Sequence, residues 1–303
     1  MSANLKRKAP EEDEPVKKVA AKVNTENSDE EDSDDGLQDI VDVDFDFYNP
    51  DDIDYHALKK LLTQLFASDA EMLELGDFAD ILIEENQVGT TVKVDDQKSD
   101  PYAILSVINL NQYKDKTGVK QLCTYLSNKC PKKNETMNKA VKKILSLSTD
   151  KHVGWVVSER FINMPVEIMA PMYTMLQEEI KKAVIADEPY AFEWYMFISK
   201  TYKEVTSTAD EENEDQPEQK KLKTDINSET FYFQSEDEII SKYAEYQFDF
   251  KFTNSEKEQA ADSRRAFSDF GIAPSRKLLL VHKSKFDDLV NEITKTCAST
   301  PAA

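Results

Sequence analysis

The sequence predicts a mixed α/β fold: a mostly antiparallel central sheet flanked by helices. Three observations lead there. Several segments alternate apolar and polar residues strictly, the period of a half-buried strand; "VDVDFDFY" (41–48) and "QFDFKFT" (247–253) show it best. Others carry apolar residues at i, i+3, i+4 and i+7, the stripe of an amphipathic helix. Two late strands on either side of a polar stretch read as a hairpin, so the sheet is not purely parallel.

The elements follow in chain order. Residues 1–38 are almost free of aromatic and β-branched residues and rich in Glu, Asp, Lys and Ser. Such a composition buries too little apolar surface to offset chain entropy, and it reads as a disordered acidic tail. A single globular domain covers 39–303. After the strand at 41–48, Asn49 is a good N-cap and Pro50 suits a first turn. Asp51, Asp52 and Asp54 then lie near the positive end of a helix whose stripe is Leu58, Leu61, Leu62, Leu65 and Phe66. A second helix runs over 75–86, and Gly89 closes its turn. "TTVKV" (90–94) and "YAILSVINL" (102–110) are strands, the second apolar on both faces and so central. Two helices, from 118 and from 134, precede a strand at 152–161.

A long helix over 165–185 starts at Pro165 and bends at Pro171. An aromatic strand covers 190–205. Residues 206–229 have no aromatic residue and two charge blocks, and read as a flexible charged insertion. "TFYFQ" pairs back onto the aromatic strand. Ser235 and Glu238 form a capping-box pattern at the next helix. The chain ends with a strand "RKLLLVHKS" and a helix "KFDDLVNEITKTC".

Charge and cysteine content narrow the function. The 303 residues carry 38 basic and 59 acidic side chains, a net charge of −21. Such a balance repels phosphate backbones and attracts basic proteins, so no direct nucleic-acid contact is expected. Cys123, Cys130 and Cys297 form no CxxC pair and read as buried free thiols in a reducing compartment. The first residues lack an apolar core of a secretory signal, and no apolar run approaches the ~20 residues that span a bilayer. No membrane insertion is expected. In the tail, Lys6, Arg7 and Lys8 with Lys17 and Lys18 form a bipartite nuclear-import pattern. Ser28, followed by Asp29, Glu30 and Glu31, and the weaker Ser33 are candidate sites for an acid-directed kinase.

Catalytic and ligand motifs fail on inspection. Asp42, Asp44 and Asp46 match positions one, three and five of a calcium loop, but Phe47 stands where the turn needs Gly and Ile53 where the ion needs Glu. The alternation instead makes the three carboxylates the wet side of a solvated edge strand. His56, His152 and His282 are the available imidazoles, none with a nameable partner for base catalysis. The six glycines (Gly36, Gly76, Gly89, Gly118, Gly154, Gly271) are too scattered for a phosphate cradle. No enzyme activity, cofactor or metal is expected. The aromatic stripes at Phe192, Trp194 and Tyr195, at Phe231 and Phe233, and at Phe248, Phe250 and Phe252 read mostly as core, with some left to surface as a docking patch.

Two blocks then carry a resemblance. "VDVDFDFYNPDDIDYHALKKLLTQLF" followed by "LGDFADILIEENQVGTTVK", and "PVEIMAPMYTMLQEEI" with "FYFQSEDEIISKYAEYQFDFKF", resemble the BCCIP family over about 40–300. The resemblance implies a nuclear protein that shuttles to the cytoplasm, without assigned catalysis. It implies a chaperone for a basic large-subunit ribosomal protein and an adaptor of nuclear transport receptors in client export. Fungal members are linked to export of a phosphoinositide kinase, hence to actin organisation and vesicle traffic; animal members are linked to cell-cycle and repair proteins. It further implies a fold like the GNAT acetyltransferases. The [QR]xxGx[GA] turn of an acetyl-CoA site is lacking here, since Gly118 in "DKTGVK" and Gly271 in "SDFGIA" have the wrong context.

Taken together, the sequence reads as a non-enzymatic binding protein. Asp42, Asp44 and Asp46, with Asp210, Glu211, Glu212, Glu214 and Asp215, are the candidate contacts for a basic client. The alternatives are a GNAT-like acetyltransferase with a degenerate acetyl-CoA site and an acidic export adaptor without chaperone activity.

Overall fold

A computed structural model describes residues 19–23, 41–94, 96–204, 229–254 and 272–298, with side chains from Asp44 onward. The strands are β1 (Val19–Val23), β2 (Val41–Tyr48), β3 (Gly89–Lys93), β4 (Ala103–Asn109), β5 (His152–Arg160), β6 (Phe192–Glu204), β7 (Thr230–Tyr232), β8 (Tyr246–Phe250) and β9 (Ile272–His282). The helices are α1 (Tyr55–Phe66), α2 (Leu75–Glu84), α3 (Thr117–Lys129), α4 (Glu135–Leu145), α5 (Met169–Ile185), α6 (Ser235–Tyr243) and α7 (Phe286–Ala298).

The strands form one sheet in the order β1-β2-β3-β4-β5-β6-β9-β8, with β7 added to β6. Every pairing is antiparallel except β5 with β6. That pair is parallel because α5 carries the chain back across the sheet between them, as a parallel connection requires. It is also short. Pairing runs from His152 and Phe192 to Trp155 and Met196 and then stops. Beyond it the two strands part, and β7 takes up the edge of β6 at Thr201–Lys203. The mixed, mostly antiparallel sheet is thus as the alternation predicts.

Because strand side chains alternate, the sheet has two cores. On one face α1 to α4 cover Trp155, Val157, Met196, Leu278 and Leu280. On the other α5 to α7 cover Val156, Phe197, Leu279 and Val281. The α1 stripe is buried at all five expected positions, each worth about 1.5–3 kcal/mol over exposure. Phe192, Tyr195, Phe248, Phe250 and Phe252 are buried as expected, while Trp194, Phe231 and Phe233 are half-buried.

Four local expectations are corrected. Val19–Val23, inside the stretch read as tail, pairs with Val41–Phe45, so this part of β2 is not an edge. "VAAKV" is the tail's one short run of β-branched and small residues, enough for a strand when a partner supplies the ladder. Asn49 caps nothing. Asp51 instead accepts from the Asp52 amide at 2.6 Å and forms a capping box with Asp54 over a short 3-10 turn before α1. Pro171 does not bend a helix interior: α5 begins at Met169, so its missing amide falls in the first turn, where none is needed. At α6 the N-cap is Gln234, not Ser235, and no side chain caps it. Two of the first-turn acids there, Glu236 and Asp237, are drawn into the interior, as described next, while Glu238 stays exposed.

Candidate functional site

Two groups of acidic residues differ sharply in surroundings. Along β2, Asp44 is exposed, and Asp51 and Asp52 beyond it are exposed too. Asp46 is half-buried: the Tyr48 hydroxyl donates to its Oδ2 at 3.4 Å, and its Oδ1 is buried without a partner. Burial, with Asp46 and Asp96 nearby, raises the Tyr48 hydroxyl above its ordinary range. Asp54 takes no part in this outer face. It is fully buried, and Lys93 Nζ, equally buried, donates to its Oδ1 at 2.6 Å and to the Gln97 carbonyl at 2.6 Å. The outer face of β2 and the turn to α1 can therefore offer carboxylates to a cationic partner but has no base or nucleophile set among them.

The second group sits where β5 and β6 part. On the α6 side Arg160 of β5 reaches Glu236 with both terminal guanidinium nitrogens, Nη2 to Oε2 at 3.0 Å. Beside this pair lie Ser158, Tyr173, Ser199 and Asp237. Ser158 faces the Tyr173 hydroxyl and Ser199 the Asp237 carboxyl, each partly offsetting the effect of burial on its neighbour. Burial, reinforced by Glu236, pushes the Asp237 carboxyl well above its ordinary range. On the opposite side Lys200 Nζ donates to Glu159 at 2.7 Å. Burial raises the Glu159 carboxyl against the pull of Lys200, Arg276 and Arg160. Arg276 in turn donates to the Leu65 and Gln64 carbonyls at the end of α1. These groups fill the parting of the strands and tie α6 and α1 to the sheet.

Another buried carboxylate joins distant loops. Asp69 accepts from the Thr253 amide at 2.7 Å, the Asn254 amide at 2.9 Å and the Tyr125 hydroxyl at 2.8 Å. Burial alone would raise it, but these donors and Lys129 outweigh burial and hold it below its ordinary range.

The sequence did not reveal these internal pairs. "SEDEII" carries a first turn rich in acid, which is ordinary capping chemistry, and nothing in it points to Arg160. His56 is exposed. His152 meets Asn109 at 2.9 Å, and His282 lies 3.5 Å from Glu193. His282 Nδ1 also lies 2.9 Å from the Ser284 Oγ, two residues on, as part of the cap of the short 3-10 turn after β9. Cys123, Cys130 and Cys297 are buried and free. Among the described residues no group of His, Cys, Asp and Glu is arranged to hold a metal, and no helix is long and apolar enough to cross a membrane. Of the predicted contacts, Asp44 is at the surface and Asp46 partly so. The side chain of Asp42 lies outside the described residues. So do the block Asp210–Asp215, the import clusters Lys6–Lys8 and Lys17–Lys18, and Ser28 and Ser33.

Comparison with known proteins bears on this arrangement. The family model BCCIP matches residues 40–240. "Protein bcp1" of Aspergillus fumigatus is 41% identical over 266 residues, spanning 88% of this chain and 90% of that protein. The Schizosaccharomyces pombe protein of the same name is 39% identical over 255 residues, spanning 84% and 90%. A crystal structure of BCP1 from Saccharomyces cerevisiae is similar with a TM-score of 0.57 and 25% identity, covering 89% of this chain and 97% of that one. The first block that carried the resemblance lies within the span matched by the family model, the second begins in it and runs on to residue 252, and the chain belongs to the BCCIP family.

Proposed function

We propose that this protein is a non-enzymatic nuclear escort. It holds a basic large-subunit ribosomal protein until assembly and links client proteins to nuclear transport receptors, shuttling to the cytoplasm. Membership of the BCCIP family is the observation that carries the reading, since the family resemblance implies these roles. The charge supports it physically. A −21 chain with outward carboxylates at Asp44, Asp51 and Asp52 shields lysines and arginines of a client that would otherwise bind RNA early. Ribosomal RNA, with its denser negative charge, then takes the client away. Asp42, Asp46 and the block Asp210, Glu211, Glu212, Glu214 and Asp215 extend this counter-surface. Lys6–Lys8 with Lys17 and Lys18 act as the import signal, and Ser28 and Ser33 as phosphorylation sites. A phosphoinositide kinase is one export cargo this reading admits.

The test is the solubility of a purified basic large-subunit ribosomal protein at physiological salt. It should stay in solution with an equimolar amount of this chain and precipitate without it. Equal precipitation in both tubes sinks the escort role and leaves the adaptor reading.

A GNAT-like acetyltransferase is the second reading, and one observation favours it: parallel β5 and β6 separate after Trp155 and Met196. Two facts weigh against it. The parting is filled by Arg160, Glu236, Glu159 and Lys200, all buried or nearly so. Gly118 is not a free loop amide either. It sits in α3, donating to Asp77 at 2.7 Å, and a Cβ there would lie 2.7 Å from the Glu74 carbonyl oxygen. Calorimetry with acetyl-CoA decides, with micromolar binding reviving the enzyme.

A further inference from the structure

Positive charge is unevenly distributed in this acidic chain. Residues 114–151 hold ten lysines against three acids (Asp115, Glu135 and Asp150), a local balance of +7 where the whole chain is −21. The fold gathers them on adjacent helices, since α3 and α4 pack together over one core of the sheet. α4 buries Val141 and Leu145 and leaves Lys139, Lys142 and Lys143 exposed, with Lys132 and Lys133 exposed just before it. Four of the ten are engaged: Lys120 with Asp115, Lys129 with Asp69, Lys139 with Glu135 and Lys151 with Glu193. Lys114, Lys116, Lys132, Lys133, Lys142 and Lys143 have no carboxylate within ion-pair reach among the described residues. Clustered like charges repel, so such a face is stabilised by an anionic partner.

Aromatic rings extend the same face. From α4 the chain enters β5, whose Val153 lies beside Trp194. Trp194 meets Tyr246 with ring centroids 5.6 Å apart and His282 at 5.1 Å. All three are half-buried. Trp194 and Tyr246 pack on the core that α3 and α4 cover. Lys151 and Lys283 flank them, held by Glu193 at 2.8 and 2.9 Å.

We propose that this face binds single-stranded RNA, with phosphates on the lysines and bases stacking at the Trp194 cluster. Lysines beside partly open rings are the two parts of a single-strand site. An acidic peptide would use the first and leave the second idle, and a duplex keeps its bases stacked away from the rings. With lysines alone as the free cations, the contacts read backbone and not sequence. The expectation of no nucleic-acid contact came from net charge. Screening confines the repulsion of distant carboxylates to about 8 Å at physiological ionic strength, so a local lysine face acts on its own. The choice of RNA over DNA rests on the proposed ribosomal client; the lysine and ring geometry does not.

The experiment uses the full chain and a labelled oligouridylate of about 12 nucleotides, read by anisotropy at low salt. Binding should weaken about tenfold or more as salt rises from ~50 to ~200 mM, and tryptophan fluorescence should be quenched as bases stack on Trp194. A folded variant carrying Lys132→Glu, Lys133→Glu, Lys142→Glu and Lys143→Glu should lose at least about tenfold in affinity. The proposal is overturned by no binding at low salt, by affinity unchanged in the variant, or by unquenched tryptophan in the complex. It is equally overturned if polyglutamate of matched length binds as tightly; single-stranded DNA, which offers the same phosphates and bases, should bind comparably. None of these outcomes touches the client-solubility assay, so the escort reading stands or falls separately.

Discussion

Lys93 Nζ lies 2.6 Å from Asp54 Oδ1, and neither side chain reaches solvent. The pair joins β3 to the turn before α1, so it fixes how the first helix meets the sheet. Burial outweighs the lysine in setting the carboxyl, which stands above its ordinary range. The interaction therefore offsets a desolvation cost and adds little of its own. Removing one partner leaves the other charge uncompensated. Lys93→Met or Asp54→Asn alone should cost about 3–5 kcal/mol at neutral pH by urea unfolding, and the double variant clearly less than the sum. The Lys93→Met cost should shrink in acid as Asp54 takes up a proton. Strict additivity would show that the pair is not coupled.

Glu179 supplies a pH dependence with a defined sign. Burial, partly offset by the Gly89 amide at 2.8 Å and by Lys182, raises its carboxyl from 4.5 to about 7. The folded state thus binds the proton more tightly than the unfolded chain. Its contribution is complete below pH 4.5 and is lost as pH rises through about 7. Glu179→Gln keeps an acceptor for Gly89 without the charge. The stability of the wild type to unfolding should fall between pH 5 and 8 by about 2–3 kcal/mol more than that of the variant. Parallel pH profiles would remove Glu179 from the explanation.

Gly89 combines a positive φ of 145° with close packing: a Cβ would lie 2.4 Å from Ser106 Cβ and Oγ. Gly89→Ala should destabilise by about 2–4 kcal/mol, from backbone strain and overpacking together. Adding Ser106→Gly should restore the packing part only. Complete rescue in thermal unfolding would mean that backbone strain plays no role.

The thiols should be silent in the folded protein. Burial pushes Cys123 and Cys297 to about 12 and raises Cys130 as well. Alkylation with iodoacetamide at pH 8 should follow the rate of unfolding, with all three labelled in denaturant. Rapid labelling of any one in native protein would contradict its burial.

Much of this was legible in the residues themselves. Alternation in "VDVDFDFY" and the Leu58 to Phe66 stripe depend on local periodicity, which a strand or helix must satisfy before it can bury a face. "AILSVIN", apolar on both faces, marked β4 as central, and it is buried throughout, Ser106 and Asn109 included. Helix starts were less legible. Asn49 and Ser235 are good caps in isolation, yet capping at one is displaced by Asp51 and at the other the acids beyond it serve tertiary partners. Of the candidate contact face, the outward position of Asp44 could be read from alternation, but the half-burial of Asp46 could not.

By itself, then, the sequence determined which segments become strands and helices, which of their faces turn inward, and that the chain is strongly acidic. It also held the BCCIP signature. Only the tertiary structure decided which strands are neighbours, that β5 and β6 run parallel and then part, and which charges go inside. Arg160 and Glu236 are 76 residues apart, and Lys93 and Asp54 are 39. A charge at a strand or helix end carries no mark of its partner, because pairing depends on distance in space. Periodicity reports only which side a residue faces. The gathering of the lysines of α3 and α4 on one side has the same origin: their number was plain in the sequence, and their common face came from the packing of two helices.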